Sequence, residues 1–103
     1  MRSRDQEPCY VISIAARMIG VHAQTLRYYE RAGIIEPSRS QGNQRLYSER
    51  DIVRLQQIKT LVDDLGINLA GVEIILRLTN KINEMENQVK KLESELARLK
   101  KGK

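Results

Sequence analysis

The sequence predicts a mainly helical fold: a winged helix-turn-helix with a second helix pair, followed by a C-terminal coiled-coil helix. Three observations support this prediction. Two short amphipathic segments are separated by a tight turn, two β-prone runs flank a polar loop, and apolar residues near the C-terminal end repeat at heptad spacing. With 103 residues, the chain has room for one small domain and one extended element.

The helix-turn-helix is predicted from residues 13–33. Apolar residues in segment 13–19 recur with helical period, and Gly20 can end this helix because glycine readily adopts positive φ. A second helix follows at residues 23–32 and ends at Gly33. Since only three or four residues remain for the turn, the two segments are expected to form a helix-turn-helix.

A small β-hairpin, or wing, is expected next. Its strands would be the β-prone runs 34–35 (Ile-Ile) and 45–47 (Arg-Leu-Tyr), which are too short to be stable unless they dock on the helices. Residues 48–51 (Ser-Glu-Arg-Asp) have the form of a capping box and predict a helix that ends at Gly66. A further helix at about 69–80 completes the second helix pair.

The C-terminal segment has the most regular period in the chain. Steps of three and four alternate along the predicted dimerisation residues: Ile82, Met85, Val89, Leu92, Leu96 and Leu99. This apolar stripe is about 27 Å long at 1.5 Å per residue, and we expect too few other residues to cover it. A coiled coil with a second copy is therefore favoured over an amphipathic helix packed on its own domain. The charges flanking the stripe weakly favour a parallel coil.

Composition limits the classes of function. The 18 Lys and Arg against 13 Asp and Glu give a net charge of +5 and a pI near 9.6, which suits an anionic partner. One Cys and one His cannot form a disulfide or a Cys/His metal site within the chain, and no nucleophile–base pair is recognisable. We therefore expect no metal, no cofactor and no enzymatic activity. The sequence shows no apolar run long enough to span a membrane, and its N-terminal residues lack the apolar centre of a signal peptide. We therefore expect the protein in the cytoplasm.

The second predicted helix carries a polar face suited to DNA. Four residues fall opposite its core-facing positions: Gln24, Arg27, Tyr28 and Arg31. Arg27 can donate two hydrogen bonds to guanine, and Gln24 can pair with adenine. The Tyr28 hydroxyl can donate to a phosphate. A solvated polar face is the alternative, but a helix-turn-helix in a basic chain favours nucleic acid as the partner.

Four parts of the sequence together form a family signature. They are residues 25–30 (Thr-Leu-Arg-Tyr-Tyr-Glu), 33–37 (Gly-Ile-Ile-Glu-Pro), Arg39 and 45–47 (Arg-Leu-Tyr). This pattern resembles the MerR family of bacterial transcription regulators, and the resemblance extends almost continuously over residues 10–80.

Within that family, the sequence is most similar to the branch that represses heat-shock operons. Residues 22–27 (His-Ala-Gln-Thr-Leu-Arg), 68–71 (Asn-Leu-Ala-Gly) and 78–80 (Leu-Thr-Asn) carry this similarity. The nitrogen-metabolism regulators of the family share Asn-x-Ala-Gly and a Gly-Asn-x-Arg wing, which matches residues 42–45 here. That branch is therefore the second choice.

The resemblance implies a set of DNA-binding residues: Gln24, Thr25, Arg27, Tyr28, Arg31, Arg39, Arg45 and Tyr47. Those on the second helix would enter the major groove, and those from Arg39 onward would hold phosphates from the wing. It also implies a homodimer through an antiparallel coiled coil, which we prefer to the weak charge preference for a parallel one. The expected organisation is a flexible N-terminus at 1–9, a winged helix-turn-helix DNA-binding domain at 10–80 and a dimerisation helix at 81–103.

The resemblance further implies a sequence-specific repressor of a heat-shock or chaperone operon, which binds an inverted repeat and takes a DnaK-type chaperone as co-repressor. Metal sensors of the family carry cysteines beside the dimerisation helix and drug sensors carry a ligand-binding domain after it. Neither feature is present in the sequence, so we expect no sensor of its own. Two alternatives stay open. One is a MerR-type activator or nitrogen-metabolism-type regulator that responds to an external effector or partner protein, and the other is a coiled-coil adaptor that binds no DNA.

Overall fold

The computed structural model of the chain describes residues 7–102. Its elements are β1 (Cys9–Val11), α1 (Ile12–Ile19), α2 (Ala23–Arg31), β2 (Ser38–Arg39), β3 (Arg45–Ser48), α3 (Glu49–Lys59) and α4 (Leu69–Lys101). The three strands form one antiparallel sheet in the order β1-β3-β2. The mainly helical, winged helix-turn-helix fold is thereby confirmed. Most of the segment predicted to be a flexible N-terminus, residues 1–6, lies outside the described residues.

The helix-turn-helix is formed as predicted. Gly20 has a φ of +86°, and the backbone N–H groups of Gly20 and Val21 both donate to the carbonyl of Ala16, at 2.8 and 3.0 Å. This bonding ends α1 and turns the chain into α2, because a positive φ is accessible to glycine at little cost. The start of α1 differs slightly from the prediction. Val11 is its N-cap and makes no side-chain capping bond, so the helix begins at Ile12.

The predicted position of the first wing strand is wrong. It is Ser38–Arg39, not Ile34-Ile35. Ile34 uses its backbone elsewhere: its N–H donates to the carbonyl of Tyr29 at 3.2 Å, and its carbonyl accepts from Arg54 Nε at 3.2 Å. Both isoleucines are buried, each 3% exposed, so this segment belongs to the core rather than to a sheet edge.

The third strand, β1, was not predicted. Its register with β3 pairs Tyr10 with Tyr47 and Val11 with Leu46. The Tyr10 hydroxyl also donates to Glu49 Oε2 at 2.5 Å, which fastens β1 to the first turn of α3. A strand of three residues carries too little alternation to be recognised in the sequence.

The predicted capping box opens α3. Ser48 Oγ accepts from the Asp51 N–H at 3.1 Å, and Asp51 Oδ2 accepts from the Ser48 N–H at 2.9 Å. The helix does not continue regularly to Gly66 as expected. It becomes a π-helical turn at Thr60–Asp64, where the Leu65 N–H donates to the carbonyl of Thr60 at 3.2 Å.

The last helix, α4, is a single helix of 33 residues. Asn68 precedes it and accepts a hydrogen bond on Oδ1 from the Gly71 N–H at 2.8 Å, as an N-cap does. The chain divides into two compact units after Val72, so most of α4 lies in the second unit. Among the described residues, no helix is long and apolar enough to cross a membrane.

The core of the first unit is apolar and comes from every element except β1 and β2. Its buried hydrophobic residues are Ala15, Ala16, Ile19, Leu26, Tyr29, Ile34, Ile35, Tyr47, Ile52, Leu55, Ile58 and Val72. Since these side chains come from both helices of the helix-turn-helix, the wing strand β3 and α3, one core fixes the orientation of α2 relative to the wing.

Candidate nucleic-acid interface

The exposed side of α2 is the first part of the candidate interface. Leu26 and Tyr29 are buried in the core, whereas Gln24, Tyr28 and Arg31 are exposed. This is the division between core side and polar side that the spacing predicts. The base and phosphate contacts of these side chains stay predictions.

Two pairs of side chains on this face of α2 contact each other, one through a hydrogen bond and the other through a cation–π interaction. Arg27 Nη1 donates to Gln24 Oε1 at 2.8 Å, so these two residues present one joined hydrogen-bonding group. The guanidinium carbon of Arg31 lies 5.9 Å from the centre of the Tyr28 ring, a cation–π distance. Tyr28 is nevertheless 51% exposed, so about half of its surface is open to a partner. Thr25, one turn earlier, is only partly exposed.

The wing is the second part, and an ion cluster links it to α2. Glu30 Oε1 accepts from Arg45 Nε at 2.5 Å, and Glu30 Oε2 accepts from Arg39 Nη2 at 2.9 Å. Arg39 Nη1 also donates to the carbonyl of Asn43, at 3.3 Å. The hydrogen bond from Arg45 lowers the pKa of Glu30 below its ordinary value, and the charges of both arginines act in the same direction.

Sequence reasoning assigned Arg39 and Arg45 to phosphates but missed their carboxylate partner. Glu30 occupies the last turn of α2, where the negative end of the helix dipole disfavours an acidic side chain. Cationic partners offset this unfavourable interaction, and an acidic residue in the last turn of a helix is the signal that could have identified the cluster. The cluster therefore makes Glu30 a functional candidate alongside the two arginines.

Tyr47 does not belong to the exposed surface. It is 0% exposed, and its hydroxyl finds no hydrogen-bond partner among residues 7–102. Burial raises the pKa of this hydroxyl. Because Tyr47 sits on the side of β3 that packs against the core, its hydroxyl is not available to a phosphate in this arrangement. This arrangement therefore does not favour the phosphate contact of Tyr47, which stays a prediction.

The predicted dimerisation residues form an exposed apolar stripe on the second unit. From Ile82 to Leu99 their exposed fractions lie between 52% and 69%. An uncovered stripe of this length on one helix is typical of a surface that meets a partner. No group of three or more His, Cys, Asp or Glu side chains that could hold a metal occurs in the part of the chain that the structure describes.

Comparison with known proteins identifies the family to which the sequence is similar. Residues 10–79 match the family described as MerR HTH family regulatory protein. The chain is 45% identical over 92 residues to a protein of Streptomyces coelicolor described as a heat shock protein, HspR. The match covers 89% of this chain and 61% of that relative. It is 32% identical over 96 residues to the transcriptional regulator GlnR of Bacillus anthracis, covering 87% and 74% of the two chains.

Solved structures give the same fold. The chain superposes on HiNmlR, a MerR family regulator lacking the sensor domain and bound to promoter DNA, with a TM-score of 0.65 and 25% identity, covering 91% of this chain and 77% of that one. A MerR family transcriptional regulator from Bacillus cereus superposes with a TM-score of 0.64 and 28% identity, covering 91% and 74%.

Proposed function

This chain belongs to the MerR family of helix-turn-helix regulators, and from that premise we propose that it is a sequence-specific transcriptional repressor of a heat-shock or chaperone operon. It would act on double-stranded DNA in the cytoplasm. The matched family and the relative GlnR are both described as regulators. The 45% identity to HspR supports the heat-shock assignment. The chain spans only 61% of that relative, so its target and partners are part of the proposal.

The observation that carries DNA binding is the polar face of α2 beside the arginines of the wing. In the proposed complex, α2 lies in the major groove and the joined pair Gln24–Arg27 reads base edges. Tyr28 and Arg31 extend that contact, and Thr25 lies beside it. Positively charged Arg39 and Arg45 bind backbone phosphates and fix the orientation of the helix on the duplex.

The operator is proposed to be an inverted repeat bound by a homodimer. Two copies would pair through an antiparallel coiled coil that covers the exposed stripe from Ile82 to Leu99. In a two-fold dimer each α2 meets the same sequence on opposite strands, which is why an inverted repeat matches the symmetry of the protein.

Repression would follow from occupancy of the promoter, with a DnaK-type chaperone as co-repressor. When unfolded proteins occupy the chaperone, the complex on DNA would weaken and transcription would resume. A second candidate is a regulator of the nitrogen-metabolism type, or an activator, that responds to another effector or partner. The 32% identity to GlnR over 96 residues supports this second candidate.

The deciding experiment is fluorescence anisotropy of the purified protein on DNA from upstream of its own gene, beside a scrambled duplex of the same length. We expect at least ~10³-fold tighter binding to the native fragment, further tightened by the chaperone. Transcription in vitro from that promoter should fall on binding. A rise in transcription would favour the activator, and equal binding to both duplexes would contradict sequence-specific regulation.

A further inference from the structure

We propose that Glu30 is a positioning residue that fixes the wing arginines, Arg45 above all, relative to the recognition helix α2. The inference rests on the proposed DNA-binding function and adds to it a residue that makes no DNA contact itself. Glu30 lies in α2, whereas its two partners lie on the two strands of the wing, so a single carboxylate joins all three elements.

The register of the sheet creates the need for this carboxylate. Arg39 and Arg45 are direct partners across β2 and β3. Two like charges opposite each other on neighbouring strands repel and disfavour the pairing. Glu30 places one negative charge between them, with an oxygen for each. The pair of arginines can therefore stay side by side before any phosphate arrives.

Arg39 and Arg45 bind Glu30 through different nitrogen atoms, and this difference decides which arginine can bind a phosphate. Arg39 uses both terminal nitrogens within the protein, Nη2 to Glu30 and Nη1 to the carbonyl of Asn43. Arg45 uses Nε, so neither of its terminal nitrogens takes part in the bond to Glu30. An arginine held by Nε has its guanidinium plane fixed while Nη1 and Nη2 can form a two-point contact with a phosphate. Arg45 is accordingly the principal phosphate donor of the wing.

Positioning and simple electrostatics predict opposite effects of removing the Glu30 charge. A carboxylate near the DNA backbone repels phosphates, so its removal should tighten binding if charge were all that mattered. If Glu30 positions Arg45, the same change frees the guanidinium to sample many orientations and weakens binding. The sign of the effect on affinity separates the two explanations.

The test compares Glu30→Gln with the matched control Glu36→Gln. Glu36 is an exposed acidic residue between α2 and β2, and its substitution makes the same change in net charge. On a duplex selected by the wild-type protein from a random pool, we expect Glu30→Gln to bind about five- to tenfold more weakly, in the range of one or two lost phosphate contacts. Glu36→Gln should bind equally or slightly more tightly. Equal or tighter binding by Glu30→Gln overturns the proposal.

A double-mutant cycle distinguishes positioning from loss of fold. In an Arg45→Ala background, Glu30→Gln should have much less effect on affinity than in the wild-type background, because the group it positions is gone. Full additivity of the two substitutions would contradict the coupling. Thermal unfolding of each variant identifies any general loss of structure.

A measurement without DNA decides the positioning by itself. In the wild-type protein, the Nε–Hε signal of Arg45 should be observable by NMR and slow to exchange with water, and in Glu30→Gln it should exchange much faster. Equal exchange in the two proteins overturns the proposal. If the wild-type protein selects no duplex, the proposed function fails, while the exchange comparison still tests the role of Glu30.

Discussion

Gln24 and Arg27 are joined side chain to side chain on the exposed face of α2, by a 2.8 Å hydrogen bond from Arg27 Nη1 to Gln24 Oε1. The bond limits the orientations of both groups before they meet a base. It also means that the two residues form one recognition unit, so the loss of either should affect the other.

Replacing Arg27 with Ala is expected to cost about 1–3 kcal/mol of operator binding and to relax the preference at one base pair. The reason is that the substitution removes a donor to a base edge. Anisotropy on single-base variants of the selected duplex measures both effects. The control is Arg77→Ala, an exposed arginine on α4 that loses the same charge. Unchanged base preference in Arg27→Ala would remove this residue from base recognition.

Phenylalanine substitutions of Tyr47 and Tyr28 should differ in their effects on stability and on DNA affinity. Tyr47→Phe removes a buried hydroxyl without a partner, whose burial costs about 1–3 kcal/mol, so stability should be unchanged or higher. Its DNA affinity should equal that of the wild type. Tyr28→Phe should leave stability unchanged but weaken DNA binding, since it removes an exposed donor. Urea unfolding and anisotropy test both, and weaker DNA binding by Tyr47→Phe would show that its hydroxyl becomes accessible.

Gly71→Ala is expected to destabilise the protein. A Cβ atom at this position would lie 2.7 Å from Ile67 Cγ2 and 3.3 Å from Asn68 Oδ1, the atom that caps α4. Overpacking of this kind costs about 1–3 kcal/mol. Gly42→Ala is the control, because the nearest atom to its Cβ would be 3.9 Å away. Similar urea midpoints for the two variants would contradict the close contact.

The ion cluster should contribute to stability at neutral pH and lose that contribution in acid. The pKa of Glu30 is lowered in the folded state, so its stabilisation is present above its ordinary value of 4.5. It declines as the pH falls through the lowered folded-state pKa. Urea unfolding at neutral pH and near pH ~3 should show a larger loss in the wild type than in Glu30→Gln. Equal losses would mean that the arginines do not perturb this carboxyl group.

Leu92→Glu should dissociate the proposed dimer, because it places a charge in the middle of the apolar stripe. Ser94→Glu adds the same charge on the opposite side of the heptad pattern and should leave the dimer intact. Sedimentation velocity over a range of concentrations distinguishes the two. A wild-type protein that stays monomeric at high concentration would contradict dimerisation through α4.

Local signals were sufficient to predict most of the helices. Gly20 and Gly33 have positive φ values where the sequence predicted helix ends, and Ser48 with Asp51 forms the expected capping box. The strands were harder. Strands β1 and β2 have only three and two residues, which is too short to show the alternation of a strand. The β-prone residue Ile34 is buried in the core and forms no strand.

The candidate site was predictable only where it depends on one helix. Helical spacing separated exposed Tyr28 and half-buried Arg27 from buried Leu26 correctly. Tyr47 could not be placed without knowing which side of β3 faces the core. The bonds of Glu30 to Arg39 and Arg45 span nine and fifteen residues of sequence, and only the tertiary fold brings these groups together.

Strand β1 ends at Val11, and Val11 is also the N-cap of α1, so no linker separates the sheet from the helix-turn-helix. A pull or twist applied to β3 by a bent duplex would pass through the β1 ladder into the axis of α1 without a hinge to absorb it. The wing sheet and α1 are thus directly connected, so a distortion of β3 by DNA would be transmitted to the first helix of the helix-turn-helix.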